Sequence, residues 1–260
     1  MIRKILMMMG LICITYPASA AITSQDIEYK TADGQVMQGF LSVNDDMAPK
    51  KGTIIIVPDW MGVGQFAKDK AVKLAKEGYI AFVADVYGKD VRPSTSDQAS
   101  ILATKYKNDR PLLRSNIQAA YDYVLTVQGV DIKRILVIGY CFGGTTALEL
   151  ARNGASLAGV VSFHGGLSNP TPENAKNIKE PVLILHGADD PFVPPTEVQA
   201  FQEEMKAANV GVQFISYPGA VHAFTNPAAG NDNSKGAAYN AAADAASWAE
   251  FEKFLDKVFY

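Results

Sequence analysis

The chain has 260 residues, 48% of them hydrophobic and 20% charged, with a formal net charge of −3 at pH 7. A weakly acidic chain with no basic stripe and no basic amphipathic helix carries no electrostatic footprint for nucleic acid or for a membrane surface. With the first residues set aside as a targeting segment, residues 21–260 are enough for one domain with a well-buried core.

The chain opens on Arg3 and Lys4, an apolar run from Ile5 to Ile14, the breaker Pro17 and the small residues Ala18-Ser19-Ala20. A positive n-region, a short apolar h-region and a small-residue cleavage site predict a secretory signal peptide over residues 1–20, cut after Ala20. The run is shorter than the roughly 20 residues that span a bilayer. Cys13 follows Leu11 and Ile12, not the small residue a lipid-attachment site wants directly before its cysteine. The expectation is an exported protein, periplasmic or secreted, with no integral membrane segment after cleavage. Cleavage also removes Cys13, which leaves Cys141 without an internal disulfide partner. Such a thiol is a packed small hydrophobe, an intermolecular partner or a reactive group.

The first mature segments, "DIEYKT" and "QVMQGFLSV", read as antiparallel strands joined at Asp33-Gly34, a hairpin-turn dipeptide. Strands and helices then alternate. "TIIIVP", "IAFVADVY", "RILVIGY", "LAGVVSFHG", "VLILHG" and "VQFISYP" are strand-like; "FAKDKAVKLAKEGY", "SDQASILATKYK", "LLRSNIQAAYDYVLTV", "GTTALELARN", "PTEVQAFQEEMKAAN" and "GAAYNAAADAASWAEFEKFLDKVF" have helical periodicity. The polar stretch "NPAAGNDNSKG" is the expected mobile loop; its Asn and Asp spacing fits no recognised calcium loop. Short apolar strands alternating with helices predict an α/β fold: a mostly parallel central sheet with an antiparallel N-terminal hairpin and helices on both faces. In such sheets functional residues gather in loops after the strands' carboxyl ends.

The chemistry centres on "ILVIGYCFGGTTALEL", residues 135–150. Gly139-Tyr140-Cys141-Phe142-Gly143 has the G-x-S-x-G pattern of a nucleophile elbow, with sulfur in place of oxygen. A nucleophile on a sharp strand-to-helix turn needs small residues two positions either side, and both are glycine. At a helix N-terminus the dipole and free N–H groups favour thiolate. The N–H of Phe142 would face the same spot and could hold an oxyanion. The base in this fold follows nucleophile and acid in chain order. Of the three histidines, His222 in "YPGAVHAF" follows the last strand, whereas His164 and His186 end earlier ones. The acid should end the penultimate strand, where Asp189 and Asp190 are both candidates.

"GYCFGG", "HGADDPFVP" and "GAVHAF" together resemble the dienelactone hydrolase family of α/β-hydrolases. The resemblance implies an α/β-hydrolase fold and a Cys-His-Asp triad. The family's D-x-x-V-P segment lands on Asp190, Val193 and Pro194, which favours Asp190 as the acid. The family carries a glutamate after its third strand that restrains the resting cysteine and helps to activate it; here Asp59 takes that position, one methylene shorter, with turn capping as its alternative role. Trp60 would give the second oxyanion N–H. Family members grip an anionic lactone with arginines. One position is Asn226 here, and the other region, "STSDQASILATKYK", has no arginine. Lys89 and Arg92 are near in sequence without an assigned place.

The resulting expectation is a carboxymethylenebutenolidase-type hydrolase or carboxylesterase that cleaves a small ester, lactone or thioester through Cys141, His222 and Asp190. The possible pocket is Met61, Tyr87, His164, Phe192, Phe224 and Asn226, apolar enough to favour a small uncharged acyl group. No metal ligand set or phosphate loop occurs, so no metal or cofactor is implied, and no nucleic acid; the expected state is a monomer or dimer. Two other readings stand beside it: a turnover-deficient fold that binds a small ligand, and a redox thiol, for which no C-x-x-C partner exists.

Overall fold

A computed structural model describes residues 22–48 and 50–260; the expected signal peptide lies outside the described residues. In chain order the elements are β1 (Ile22–Lys30), β2 (Val36–Asn44), β3 (Thr53–Val57), α1 (Gln65–Lys76), β4 (Ile80–Val83), α2 (Ser96–Asn108), α3 (Arg110–Val124), β5 (Ile135–Tyr140), α4 (Phe142–Arg152), β6 (Gly159–Phe163), β7 (Val182–Gly187), α5 (Pro195–Ala207), β8 (Val212–Tyr217) and α6 (Ala241–Phe259). They build an eight-stranded sheet in the order β1-β2-β4-β3-β5-β6-β7-β8. β1 and β2 pair antiparallel, as do β2 and β4, and every later pairing is parallel. This is the α/β-hydrolase arrangement. The hairpin turns at Gly34, whose φ of 89° is the left-handed conformation the Asp-Gly signal supplies.

The central strands β3 to β7 are buried on both faces because helices cover both. Ile55 and Val57 of β3 and Val137 of β5 face one core, with residues of α2, α3, α4 and α5. Ile54 and Ile56, with Leu136, Ile138 and Tyr140, face the other, with α1 and α6. The period-2 alternation of a strand divides one continuous apolar run between two cores. A buried ion network fixes α4 from outside. Glu149 accepts from Arg114 Nε at 2.7 Å and Arg152 Nη1 at 3.0 Å, and Arg152 also pairs with both oxygens of Glu204 on α5.

The chain leaves β3 toward β4 on one side and later enters β5 on the other. Strand order therefore reverses between β3 and β5, which opens a crevice at their carboxyl ends. Trp60 and Cys141 follow those two strands. Of the boundaries that differ from the sequence expectation, two have a clear local cause. β4 ends at Val83, because the Asp85 carboxylate turns the chain by accepting from Tyr87 and Gly88 N–H. The last helix starts at Ala241 and not Gly236, because Asn240 caps it and residues 236–240 pair instead with the loop that holds His222. The polar loop after Thr225 contains two short 3-10 turns, capped by Asn226 and Asp232. Among the described residues no helix is long and apolar enough to cross a membrane.

Candidate active site

Cys141 sits between β5 and α4 with φ 55° and ψ −117°, a conformation that L-residues avoid. The turn is held because Cys141 N–H donates to Phe163 O on β6 at 3.0 Å. The flanking glycines are required by space. A Cβ on Gly139 would lie 1.9 Å from Gly143 O, and one on Gly143 would lie 2.2 Å from Val57 O. Gly144 also packs on Gly165, less tightly, where a Cβ would fall 2.9 Å from the Gly165 Cα. Phe142 is the first residue of α4, so its N–H has no intrahelical acceptor.

Three loops at the strands' carboxyl ends bring the expected triad side chains into line. His222 Nε2 is 2.9 Å from Cys141 Sγ, and His222 Nδ1 is 2.7 Å from Asp190 Oδ2. The other Asp190 oxygen accepts from Phe192 N–H at 2.8 Å, so the buried carboxylate is fixed at both ends. Asp189 is exposed and caps a different turn through Gly219 N–H at 3.1 Å. The two aspartates are thus told apart by which one reaches the imidazole. The His222 backbone is itself bridged to Ala237, with Gly236 O and Ala238 N as partners.

The electrostatics follow from this contact. Burial pushes the Cys141 thiol up, but the charge and hydrogen bond of His222 outweigh it, and the net shift is downward. Burial pushes the His222 imidazole down, but the facing thiolate and Asp190 reverse that, and the net shift is upward. Both shifts favour a thiolate–imidazolium pair. Lys107 at the end of α2, a residue sequence reasoning missed, adds a weaker pull toward thiolate, while the Asp59 charge opposes it.

Asp59 does not bond to the cysteine. Its Oδ1 accepts from Met61 N–H at 2.9 Å, the turn-capping role, and burial raises its pKa. Trp60 and Met61 are half-buried. Tyr87 is buried with its ring stacked on Phe142 at 5.6 Å, and its hydroxyl donates to Trp60 O at 3.0 Å. Phe192 is 58% exposed and stands edge-on to His222 at 5.5 Å.

The other three expected pocket residues are each held by contacts within the fold. Phe224 is fully buried in the α1/α6 core, against His164 and Tyr217. Asn226 spends its side chain on Ala228 N–H. His164 is buried beneath His222, edge to face at 5.4 Å, with Nε2 bonded to Thr225 Oγ1 at 2.8 Å. Burial, with the nearby His222 charge, holds it well below the usual imidazole range and therefore neutral. His186 is buried against Phe214. The two unassigned cations are engaged away from the thiol: Lys89 with Glu28, and Arg92 with Asp85 and three carbonyls. Among the described residues no group of three or more His, Cys, Asp or Glu side chains is placed to hold a metal ion.

Comparison with known proteins agrees with this geometry. The structure of m3DLH is 36% identical with a TM-score of 0.88, covering 92% of this chain and 100% of its own. A dienelactone hydrolase-like promiscuous phosphotriesterase from metagenomic libraries is 34% identical with a TM-score of 0.86, covering 92% of this chain and 99% of its own. A relative from Escherichia coli strain K12, provisionally named a carboxymethylenebutenolidase, is 27% identical over 232 residues, which is 80% of this chain and 84% of its own. The family model "Dienelactone hydrolase family" matches residues 37–259, from β2 to the end of α6, and the chain belongs to that family.

Proposed function

We propose that Cys141, His222 and Asp190 form the catalytic triad of this ester hydrolase, and that it works through an acyl-thioester. The observation that carries the reading is the unbroken line Sγ–Nε2, Nδ1–Oδ2, at 2.9 and 2.7 Å. The Cys141 thiolate attacks the carbonyl carbon of a carboxylic ester, lactone or thioester, and the π electrons move to oxygen. The N–H groups of Phe142 and Trp60 receive that oxyanion. As it collapses, the bond to the leaving group breaks and the His222 imidazolium gives up its Nε2 proton to it. Water then loses a proton to His222 and attacks the thioester, and the thiolate departs.

Asp190 keeps the proton on Nδ1, so Nε2 stays the face that exchanges protons with sulfur and substrate. The exposed Phe192 ring beside His222, with Trp60 and Met61, favours a small, mostly uncharged acyl group. Lys89, Arg92 and Asn226 are engaged elsewhere and give no grip on an anionic substrate. The intact triad line disfavours the reading of a fold that only binds ligand. We further propose export to the periplasm or beyond, supported by the residues up to Ala20; the mature protein should begin at Ala21 by intact-mass measurement.

The test is hydrolysis of p-nitrophenyl esters, simple lactones and acyl thioesters by residues 21–260, beside Cys141→Ala. Loss of a triad nucleophile removes about a thousandfold or more of rate. Turnover that survives the substitution would remove Cys141 from the mechanism. No turnover on any of these substrates by the unsubstituted protein would favour the binding reading.

A further inference from the structure

The peptide that joins Trp60 to Met61 is held from both sides. Its carbonyl accepts the Tyr87 hydroxyl at 3.0 Å, and its N–H, that of Met61, donates to Asp59 Oδ1 at 2.9 Å. The same four residues close a turn through Gly62 N–H to Asp59 O at 3.0 Å. In such a turn the N–H of the second residue, Trp60, makes no part of the closure. Two rigid groups therefore fix the plane next to Trp60 and leave its own N–H uncommitted to the turn.

Tyr87 is built for that task. Its N–H donates to Asp85 Oδ1 at 3.0 Å, and its carbonyl accepts from Gln35 Nε2 at 3.0 Å and Tyr106 Oη at 3.2 Å. Asp85 is fully buried and paired with Arg92, so the backbone under the phenol is anchored. The ring stacks on Phe142, which carries the other oxyanion N–H. Burial, then the charges of Cys141 and Asp59, push the phenol far up, so it remains a donor. One side chain thus touches both residues whose N–H groups receive the oxyanion.

The geometry points to Tyr87 and Asp59 as positioning residues of the oxyanion hole, which clamp the Trp60–Met61 peptide rather than act on the thiol. The inference rests on Cys141 being the nucleophile and on Phe142 and Trp60 giving the oxyanion N–H groups. It assigns the Asp59 carboxylate an acceptor's task that a neutral amide oxygen could also perform.

Two reactions of Cys141 separate the clamp from the nucleophile. Hydrolysis of p-nitrophenyl acetate passes through an oxyanion; alkylation by iodoacetamide, in which the thiolate displaces iodide from a saturated carbon, does not. In Tyr87→Phe, which keeps the ring stacked, kcat for hydrolysis should fall about tenfold, less than the ~10²–10³-fold of deleting a donor. KM and the alkylation rate should stay within about twofold of the parent, since neither reports the oxyanion. Undiminished hydrolysis overturns the proposal. So does a parallel fall of both reactions, which would place Tyr87 on the thiol or the fold. If Tyr87→Phe does not fold, the Asp59 variants decide: Asp59→Ala should lose hydrolysis, and Asp59→Asn, which keeps an oxygen for Met61 N–H, should recover most of it. Equal loss in both would assign the effect to charge and overturn the clamp. Hydrolysis that survives in Cys141→Ala would overturn the triad and this inference together, and is read separately.

Discussion

Asp190→Asn tests the triad at its most constrained point. The carboxylate accepts twice, from Phe192 N–H at 2.8 Å and from His222 Nδ1 at 2.7 Å. An amide has one oxygen for these two donors. If the oxygen stays on Phe192 N–H, the amide NH₂ faces Nδ1, which must then become an acceptor. The proton moves to Nε2 and points at sulfur, so His222 no longer accepts from Cys141 or water. That wrong-tautomer state is worth up to ~10⁴-fold in rate. If the amide flips, His222 keeps its tautomer, but two donors oppose each other at Phe192. That costs about 1–3 kcal/mol, and a charge-assisted bond to the imidazolium becomes a neutral one, roughly 1 kcal/mol weaker. Both costs together are about 2–4 kcal/mol, or ~30- to 1,000-fold at 1.36 kcal/mol per factor of ten. The cheaper arrangement governs, so kcat/KM should fall by about one and a half to three orders of magnitude. Asp189→Asn, at the exposed carboxylate on Gly219 N–H, should stay within about threefold, since an amide oxygen serves that bond equally. The assay is p-nitrophenyl acetate hydrolysis on protein shown to be folded by circular dichroism. A loss under about fivefold in Asp190→Asn, or an equal loss in Asp189→Asn, would refute the reasoning.

Two further perturbations read the charge pair and the elbow. A thiol held below its ordinary range is ionised at lower pH, and the thiolate is lost only as pH falls through the depressed value. Iodoacetamide alkylation of Cys141 should therefore inflect below the ordinary thiol value of about 8.5. His222→Ala removes the main depressing partner and leaves burial and the Asp59 charge, which raise the thiol, against the weaker pull of Lys107, so the inflection should move upward from that of the parent; an unmoved inflection would show that His222 does not set the thiolate. At the elbow, Gly143→Ala forces a Cβ to 2.2 Å from Val57 O and 2.4 Å from Pro58 O, both backbone atoms of the β3 exit. Overpacking of this kind costs about 1–3 kcal/mol or more, so Tm should drop by roughly 2–10 °C. Gly211→Ala, where a Cβ meets nothing within 4 Å, is the comparison and should leave Tm nearly unchanged.

The apolar runs located β3 to β7 because a strand covered on both faces has no other use for such a run. "TIIIV" divides between two cores, and no polar residue interrupts it. The elbow was legible for a similar reason: Gly139 and Gly143 are demanded by local contacts, and a local demand leaves a local pattern. His222 was legible through chain order. What was not legible was contact across the chain. Phe224 looks like a pocket aromatic from its place two residues after His222, but its loop turns it into the α6 core. Residues 236–240 carry a helical composition, yet they pair with the His222 loop because that loop has open backbone groups to satisfy. The Tyr87 hydroxyl meets Trp60 across 27 positions, and no spacing rule announces it.

Asp59 decides how the resting site differs from the family pattern that the sequence suggested. The resemblance implies a glutamate at this position, one methylene longer, that restrains the resting cysteine. With one methylene fewer, the carboxyl folds back on Met61 N–H two residues on, a geometry that short Asp side chains favour. Asp59 then does not compete with His222 for sulfur, and Sγ rests at 2.9 Å from Nε2. The Sγ–Nε2 contact is thus in place before substrate arrives, and the carboxylate is bound to the loop beside the nucleophile. The same shortened side chain leaves the Sγ–Nε2 contact undisturbed and holds the Trp60–Met61 peptide through Met61 N–H.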